Sequence, residues 1–373
     1  MPEVLWVTPE LPAEPSSGAS LRSHRLLQAL SQAAAVRLVL VGEGDPAELA
    51  RATGAQSVEV FDRPRTRRGK AGVAARHGWP TGTAAAWSAP AQQRVQRQAQ
   101  GGALVVVDHL QMAPYLPAGG HLLSLHNAEA ALLAQAPRPA GIAARAAHRW
   151  DVARTAALER SALSRAGAVV VVSERDAALL GRACVVVPNG ADLPTEVPAR
   201  PQDGSVLFVG ALKYAPNADA VTWWAEQIWQ PGMPPLTVVG SGREHLPAGL
   251  HRHPGLRIVG LVPEVGPWLA AAALVVVPLR HGGGTRLKVL EALAWGRPVI
   301  STGKGVEGLS VVAGEQFVVA EDAASFRREI ARLCADPAAA QRLGEQGRRY
   351  AEQQDWAALT PAFVTLVLAL APK

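Results

Sequence analysis

Apolar residues in this chain gather into short runs, most of them uninterrupted instead of alternating with polar ones. In the first half the runs are VLWVT (4–8), VRLVLVG (36–42), SVEVF (57–61), ALVVVD (103–108), LLSLH (122–126), AVVVVS (168–173) and CVVVPNG (184–190). In the second they are VLFVG (206–210), LTVVG (236–240), LRIVG (256–260), LVVVP (274–278), PVIST (298–302) and FVVAE (317–321). Stretches of helical composition separate them. A strand apolar on both faces is covered on both faces, which is the mark of a parallel sheet between helix layers. Strand and helix alternating in this way predict a doubly wound α/β class.

After Asn189-Gly190 the text changes to ADLPTEVPARPQDGS (191–205), rich in proline and polar residues and without apolar periodicity. The chain therefore reads as two Rossmann-like domains, 1–193 and 194–355, followed by an apolar helix over 356–373 that packs back on the first domain. In open parallel sheets, ligands bind beyond the carboxyl ends of the strands, where the strand order reverses. Two such domains facing each other suit transfer between two bound substrates.

Composition narrows the class. With 373 residues, 49% hydrophobic and 18% charged, the chain builds sizeable cores. Its two cysteines, Cys184 and Cys334, fit neither a metal nor a disulfide framework, and a reducing cytoplasm is the simpler setting. No apolar stretch reaches the roughly 20 residues that span a bilayer. Glu3 and the short run Val4 to Val7 read as a first strand rather than a signal peptide. The net charge of +6 favours anionic partners. Arg63, Arg65, Arg67, Arg68, Lys70 and Arg76 cluster, either as a solvated, mobile loop or as a contact with anionic membrane at the inner face or a phosphate-bearing acceptor. Aromatic residues do not interleave with them, which argues against nucleic acid.

The densest chemistry lies in HGGGTRLKVLEALAWGRPVIST (281–302), between two of the apolar runs. Gly282, Gly283 and Gly284 let backbone approach a ligand closely. Thr285 is placed to cap a helix running to Trp295, with Gly296 as its stop. Arg286 and Lys288 in the first turn of that helix would make a diphosphate site. Glu291 falls at the margin of the stripe Leu287, Leu290, Leu293 and Ala294, where a carboxylate is costly unless paired. It either pairs with Lys288 one turn back or accepts hydrogen bonds from ribose hydroxyls.

This segment resembles the donor-site motif of glycosyltransferase family 4, retaining enzymes of the GT-B fold, in a branch whose loop reads GGGTRLK. The resemblance implies two facing Rossmann-like domains and a UDP- or GDP-sugar held mainly by the second, with Glu291 at the nucleotide ribose. Gly283 stands where the family usually carries a first glutamate at the donor sugar. In FVGALKYAPN (208–217), Ala211 follows Gly210 where many relatives have an arginine, and Lys213 is nearby. Arg286 and Lys288 are expected to supply the charge that position 211 lacks. In GLVPEVGPWLAAAALVVVPL (260–279), backbone near Leu261 and Val262 would meet the base. VVVPNGADL (185–193) is similar to the family's interdomain signature, and TPELPAEPSSGASLRSHRLLQAL (8–30) to its first strand, loop and helix. There Gly18 would lie near the ligand and Arg22 would reach phosphate or acceptor.

On the first domain, His126-Asn127 followed by Glu129 is similar to an HN-x-E the family often shows; His126 either contacts the donor sugar or leaving phosphate, or orders its loop. Asp108-His109 falls near a catalytic histidine of some relatives, with either residue as its equivalent, or with Asp108 as a helix cap. The implied reaction moves a hexose to a glycan, glycolipid or small-molecule hydroxyl, with no cofactor and no metal. A dinucleotide oxidoreductase would show G-x-G-x-x-G after the first strand, where the chain has TPELPAEPSSG; GSGRE (240–244) is incomplete. A non-catalytic sugar-nucleotide binding protein and a sugar-nucleotide epimerase are the competing readings.

Overall fold

A computed structural model describes residues 1–9, 11–13, 18–136, 140–284 and 286–372. Each of the apolar runs supplies a strand, and every strand pairing is parallel. The chain divides into two compact units, Met1–Pro188 with Leu359–Lys373, and Asn189–Ala358.

The first unit holds β1 (Glu3–Thr8), β2 (Ala35–Val41), β3 (Ser57–Phe61), β4 (Leu104–Asp108), β5 (Leu122–Ser124), β6 (Ala168–Val171) and β7 (Val185–Val186), in the order β3-β2-β1-β4-β5-β6-β7. The second holds β8 (Val206–Val209), β9 (Leu236–Val239), β10 (Leu256–Gly260), β11 (Leu274–Val277), β12 (Val299–Ser301) and β13 (Val318–Val319), in the order β10-β9-β8-β11-β12-β13. Both are doubly wound arrangements, whose order reverses between β1 and β4 and between β8 and β11.

Two buried clusters explain why the runs do not alternate. Leu5, Val7, Val39, Val41, Val105 and Val107 face one cluster of the first sheet. Their neighbours Val4, Trp6, Leu38, Leu40, Leu104 and Val106 face the other. Successive strand residues point to opposite faces, so burial on both makes every position apolar. The second cluster is completed from far away in sequence. In the helix Trp356–Leu370, Phe363 and Val367 are fully buried against it, and the Phe363 ring meets Trp6 edge-on at 5.9 Å.

Three sequence expectations change. β5 and β7 stop earlier than the runs 122–126 and 184–190 suggested, although Leu125 and Val187 still donate backbone hydrogen bonds to β6. The basic segment is not wholly a loop: Arg67–His77 is a helix. Thr66 caps its start by accepting from the Gly69 amide, and Gly78, at φ +66°, ends it. Arg67, Arg68 and Arg76 are exposed on it. Among the described residues, no helix is long and apolar enough to cross a membrane.

Phe363→Ala should cost the first unit roughly 3–5 kcal/mol, the usual range for emptying a buried phenylalanine site. Hydrogen exchange of the β1 amides across a urea series measures it, and full protection at the wild-type midpoint would contradict the packing described.

Candidate functional site

At the carboxyl ends of β8 and β11, where the second sheet reverses, two glycine-containing segments meet. Lys288 sends its ammonium to the end of β8: Nζ donates to Asn217 Oδ1 at 2.7 Å and lies 4.1 Å from the centre of the Phe208 ring. Asn217 Nδ2 donates to the Ala211 carbonyl at 2.8 Å. A Cβ at Gly210 would stand 2.6 Å from Lys288 Nζ and 2.7 Å from Asn217 Nδ2, so only glycine leaves room for this contact.

The glycine turn after β11 is fastened from two sides. Gly283 N donates to Tyr214 Oη at 3.2 Å, and Arg286 Nη1 donates to Gly283 O at 2.6 Å. Gly282 has φ +100°, and a Cβ there would meet Tyr214 Oη at 2.6 Å. Gly284 is also left-handed, at φ +82°. Arg286 is 5% exposed, its Nε reaches the Lys304 carbonyl at 3.4 Å, and its Nη2 has no hydrogen-bond partner among the described residues.

The helix that follows is Leu287–Ala294, shorter than expected, with Arg286 rather than Thr285 in the N-cap position and without a side-chain cap. Thr285 itself lies outside the described residues. Arg286 thus precedes the first turn, while Lys288 is within it; Gly296, at φ +62°, follows the helix end.

Glu291 and Lys288 sit one turn apart on this helix, both half-buried overall. Burial pushes the Glu291 carboxyl up to about 7, with Lys288 opposing the shift and Asp192 adding to it. Burial likewise brings the Lys288 ammonium down to about 7, with Arg286 adding and Glu291 opposing. Both charged forms are under-solvated here, and each is short of partners for its full charge.

Of the other donor-side residues, Lys213 is exposed and makes no hydrogen bond or ion pair among the described residues. Leu261 is 75% exposed and Val262 half-buried, just past the end of β10, two strands from β8. Tyr214 and Asn217 escaped the sequence reading. Their signal was a Tyr just before, and an Asn in the first turn of, the helix Ala215–Trp223, which starts a few residues after the β8 glycine.

The first sheet reverses at β1 and β4, and Asp108 is the last residue of β4. Its fully buried carboxylate accepts from Ser23 Oγ at 2.6 Å and Thr8 Oγ1 at 3.4 Å, and pairs with His126 Nε2 at 2.9 Å. Burial alone would raise this carboxyl, but the His126 and His109 charges and the His126 and Ser23 hydrogen bonds outweigh it and hold it well below the usual range. Asp108 is therefore an ionised anchor, not a helix cap. His109 stacks on His126, ring centres 3.8 Å apart and 14° from parallel. It has φ +74°, the sole left-handed non-glycine backbone among the described residues.

Asn127 donates to Glu129 Oε1 at 3.0 Å, and its own buried oxygen has no partner among the described residues. Gly18 opens the helix Gly18–Ser31 and is exposed. Arg22 departs from expectation. Its guanidinium is fully buried, Nη1 donates to the Pro188 carbonyl at 3.1 Å, and Asp108 lies within its electrostatic reach, so in this state it braces the unit instead of meeting a ligand. Desolvation brings it down to about 10. Its helix neighbours Ser23 and His24 are buried too, a polar run that signalled an internal network.

Asp108, His109 and His126 place ligand-type atoms within 4.8 Å of one another, a group that could hold a metal. The 2.9 Å between His126 Nε2 and Asp108 Oδ1 is the spacing of a shared proton. Two ligands on one tetrahedral ion would stand about 3.3 Å apart.

Residues 203–336 match the family described as "Glycosyl transferases group 1". A D-inositol 3-phosphate glycosyltransferase of Streptomyces bingchenggensis (strain BCW-1) is 34% identical over 95 residues, which is 25% of this chain; the chain spans 21% of the length of that relative. Among solved structures, sucrose-phosphate synthase from Thermosynechococcus elongatus superposes with a TM-score of 0.72 at 19% identity, covering 99% of both chains. Anabaena Alr3699/HepE in complex with UDP and glucose gives 0.70 at 14% identity, covering 99% of this chain and 100% of that one. The fold is GT-B, built of two Rossmann-like parallel-sheet domains.

The Lys288 and Glu291 shifts set a pH signature. Between Glu291's usual 4.5 and about 7 the folded state binds the extra proton, so this group's contribution to stability falls as pH rises. Between about 7 and Lys288's usual 10.5 the unfolded state binds more, so stability rises again. The stability of the wild type minus that of a Lys288→Met, Glu291→Gln double variant should pass through a minimum near pH 7 in denaturant titrations; a difference independent of pH would remove the basis for both shifts.

Proposed function

We propose that this chain is a retaining glycosyltransferase that moves a hexose from a nucleotide-diphosphate sugar to a hydroxyl of a glycan, glycolipid or small molecule. One observation carries the reading: a fastened glycine turn and a helix start meet the under-solvated Lys288 and Glu291 at the β8–β11 reversal. An anion is what such a place lacks. In this reading the diphosphate sits against the helix amides, Lys288 and the spare nitrogen of Arg286. Glu291 accepts from the ribose hydroxyls, and the base lies along the backbone near Leu261 and Val262.

Loss of the nucleoside diphosphate builds negative charge on its oxygens. Preorganised cations and amides stabilise that charge without a metal. The acceptor hydroxyl attacks from the face the diphosphate leaves, passing its proton to the departing phosphate, so no covalent nucleophile is required. Gly283 offers no carboxylate to the sugar, so sugar selection falls to other groups. Lys288 answers the missing arginine at position 211, since its ammonium already stands at Gly210.

The first unit's Asp108–His126 pair is assigned to the reacting sugar or the acceptor hydroxyl, with Asp108 holding the imidazole in orientation. The exposed basic helix Arg67–His77 is assigned to an anionic surface carrying the acceptor, such as the inner leaflet of a membrane.

A thermal-shift panel of UDP, GDP, ADP and dTDP sugars should single out one base, UDP being the first to try because the similar Anabaena structure holds UDP. With that donor, Lys288→Ala and Arg286→Ala should each weaken binding or lower kcat/KM by about 10- to 100-fold, the value of a charge-assisted contact. Near-normal kinetics in both would defeat the assignment. Donor binding without turnover across an acceptor panel would favour the non-catalytic reading, and donor conversion without acceptor would favour an epimerase.

His126→Ala should lower kcat by about 10²- to 10⁴-fold, while the nucleotide Kd from titration stays within about twofold. A loss confined to Kd would show that the residue serves binding alone.

A further inference from the structure

Helix Leu287–Ala294 runs from the glycine turn back to the amino edge of the second sheet, where Gly296 and Arg297 lead into β12. At that edge is a cavity of about 420 Å³, bordered by Arg200, Arg297, Gln341, Glu345, Arg348 and Arg349. Four guanidinium groups thus share one concave surface with a single carboxylate.

The arginines are not equally employed by the protein. Arg348 is fully used: Nε pairs with Glu352 at 2.9 Å, and its other nitrogens donate to the Ala294 carbonyl at the helix end and to the Pro194 carbonyl at 3.4 Å. Capping a helix carboxyl end is an ordinary structural task for arginine. It does not account for the other three.

Arg297 is 1% exposed, yet only its Nη2 is bonded, to the Pro198 carbonyl at 2.7 Å; its Nε has no partner among the described residues. Arg200 reaches the Ala273 carbonyl only at 3.5 Å and has Asp203 in its electrostatic neighbourhood. Arg349 makes no hydrogen bond or ion pair among the described residues. Glu345, the lining carboxylate, is engaged by Gln341 Nε2 at 2.9 Å. Burial works against the Arg297 charge, and the neighbouring Arg200 adds to that cost. A buried guanidinium without a counter-ion is unfavourable unless something supplies the anion.

We propose that this cavity is a second anion site, specific for a phosphate group, separate from the glycine turn. Arg297 forms its floor, and Arg200 and Arg349 its walls. Planar guanidinium forks match the oxygens of a phosphate dianion, and the volume admits a small phosphate monoester as well as the free ion. The site stands independently of the sugar-transfer reading, because none of its residues belongs to the glycine turn.

Isothermal titration of the full chain with inorganic phosphate and, separately, with glycerol 3-phosphate at constant ionic strength tests this and distinguishes the free ion from the ester. At least one should bind. Arg349→Gln, whose side chain is exposed and carries no structural bond, and Arg200→Gln should each weaken that binding about tenfold, the loss of one charge-assisted contact. Arg342→Gln, in the same helix (Pro337–Glu352) as Arg349 but outside the cavity's lining, should leave it unchanged. Wild-type affinity in both arginine variants, a loss in Arg342→Gln equal to theirs, or no heat from either probe at millimolar concentration would overturn the proposal.

Discussion

A parallel strand buried on both faces has nowhere along its length to keep a charge. In the central strands, polar groups are therefore pushed to strand ends, and most usefully to the ends where the strand order reverses; Glu59 and Arg257 lie inside the edge strands β3 and β10. Asp108 is the last residue of β4, and Gly210 directly follows β8. The glycine turn begins shortly after β11. The same constraint that keeps the central strands apolar along most of their length decides where chemistry can occur.

The two reversal points handle buried charge in opposite ways. In the first unit the Asp108 carboxylate is supplied with a serine hydroxyl, a threonine hydroxyl and an imidazole, and it stays ionised. That network is complete without a visitor and can hold His126 in one orientation. In the second unit Lys288 has one neutral amide oxygen and an aromatic face, and Glu291 is pushed toward its neutral form. There the protein has left a deficit. A diphosphate beside Lys288 and hydroxyl groups beside Glu291 would relieve it, so affinity for such a ligand is prepared by the cost carried without it.

Much of this was legible in the chain, for physical reasons that differ from element to element. Strands buried on two faces announce themselves because neither face tolerates a polar residue, and a triple glycine after such a strand marks a backbone that must be approached closely. The helix Arg67–His77 did not announce itself, because nearly all its side chains are solvated and no apolar stripe records the turn of the helix. The Ser23–Asp108–His126 network was invisible because its members are brought together across separations of 85 and 18 residues by strand order alone. Arg22 misled for a related reason: a cation in a loop-to-helix segment reads as a ligand contact, and only packing reveals that it is enclosed.

The return of the helix Trp356–Leu370 to the first unit carries a cost in time as well as in space. Strands β1 to β7 leave the ribosome long before Phe363 and Val367 exist, with all of the second unit translated in between. For that interval one flank of the nascent sheet, including Trp6, lacks its cover and presents a greasy face to solvent or to a chaperone. Of these two units, the one made earlier is thus the later to be finished, and ending translation before Phe363 would leave that flank bare.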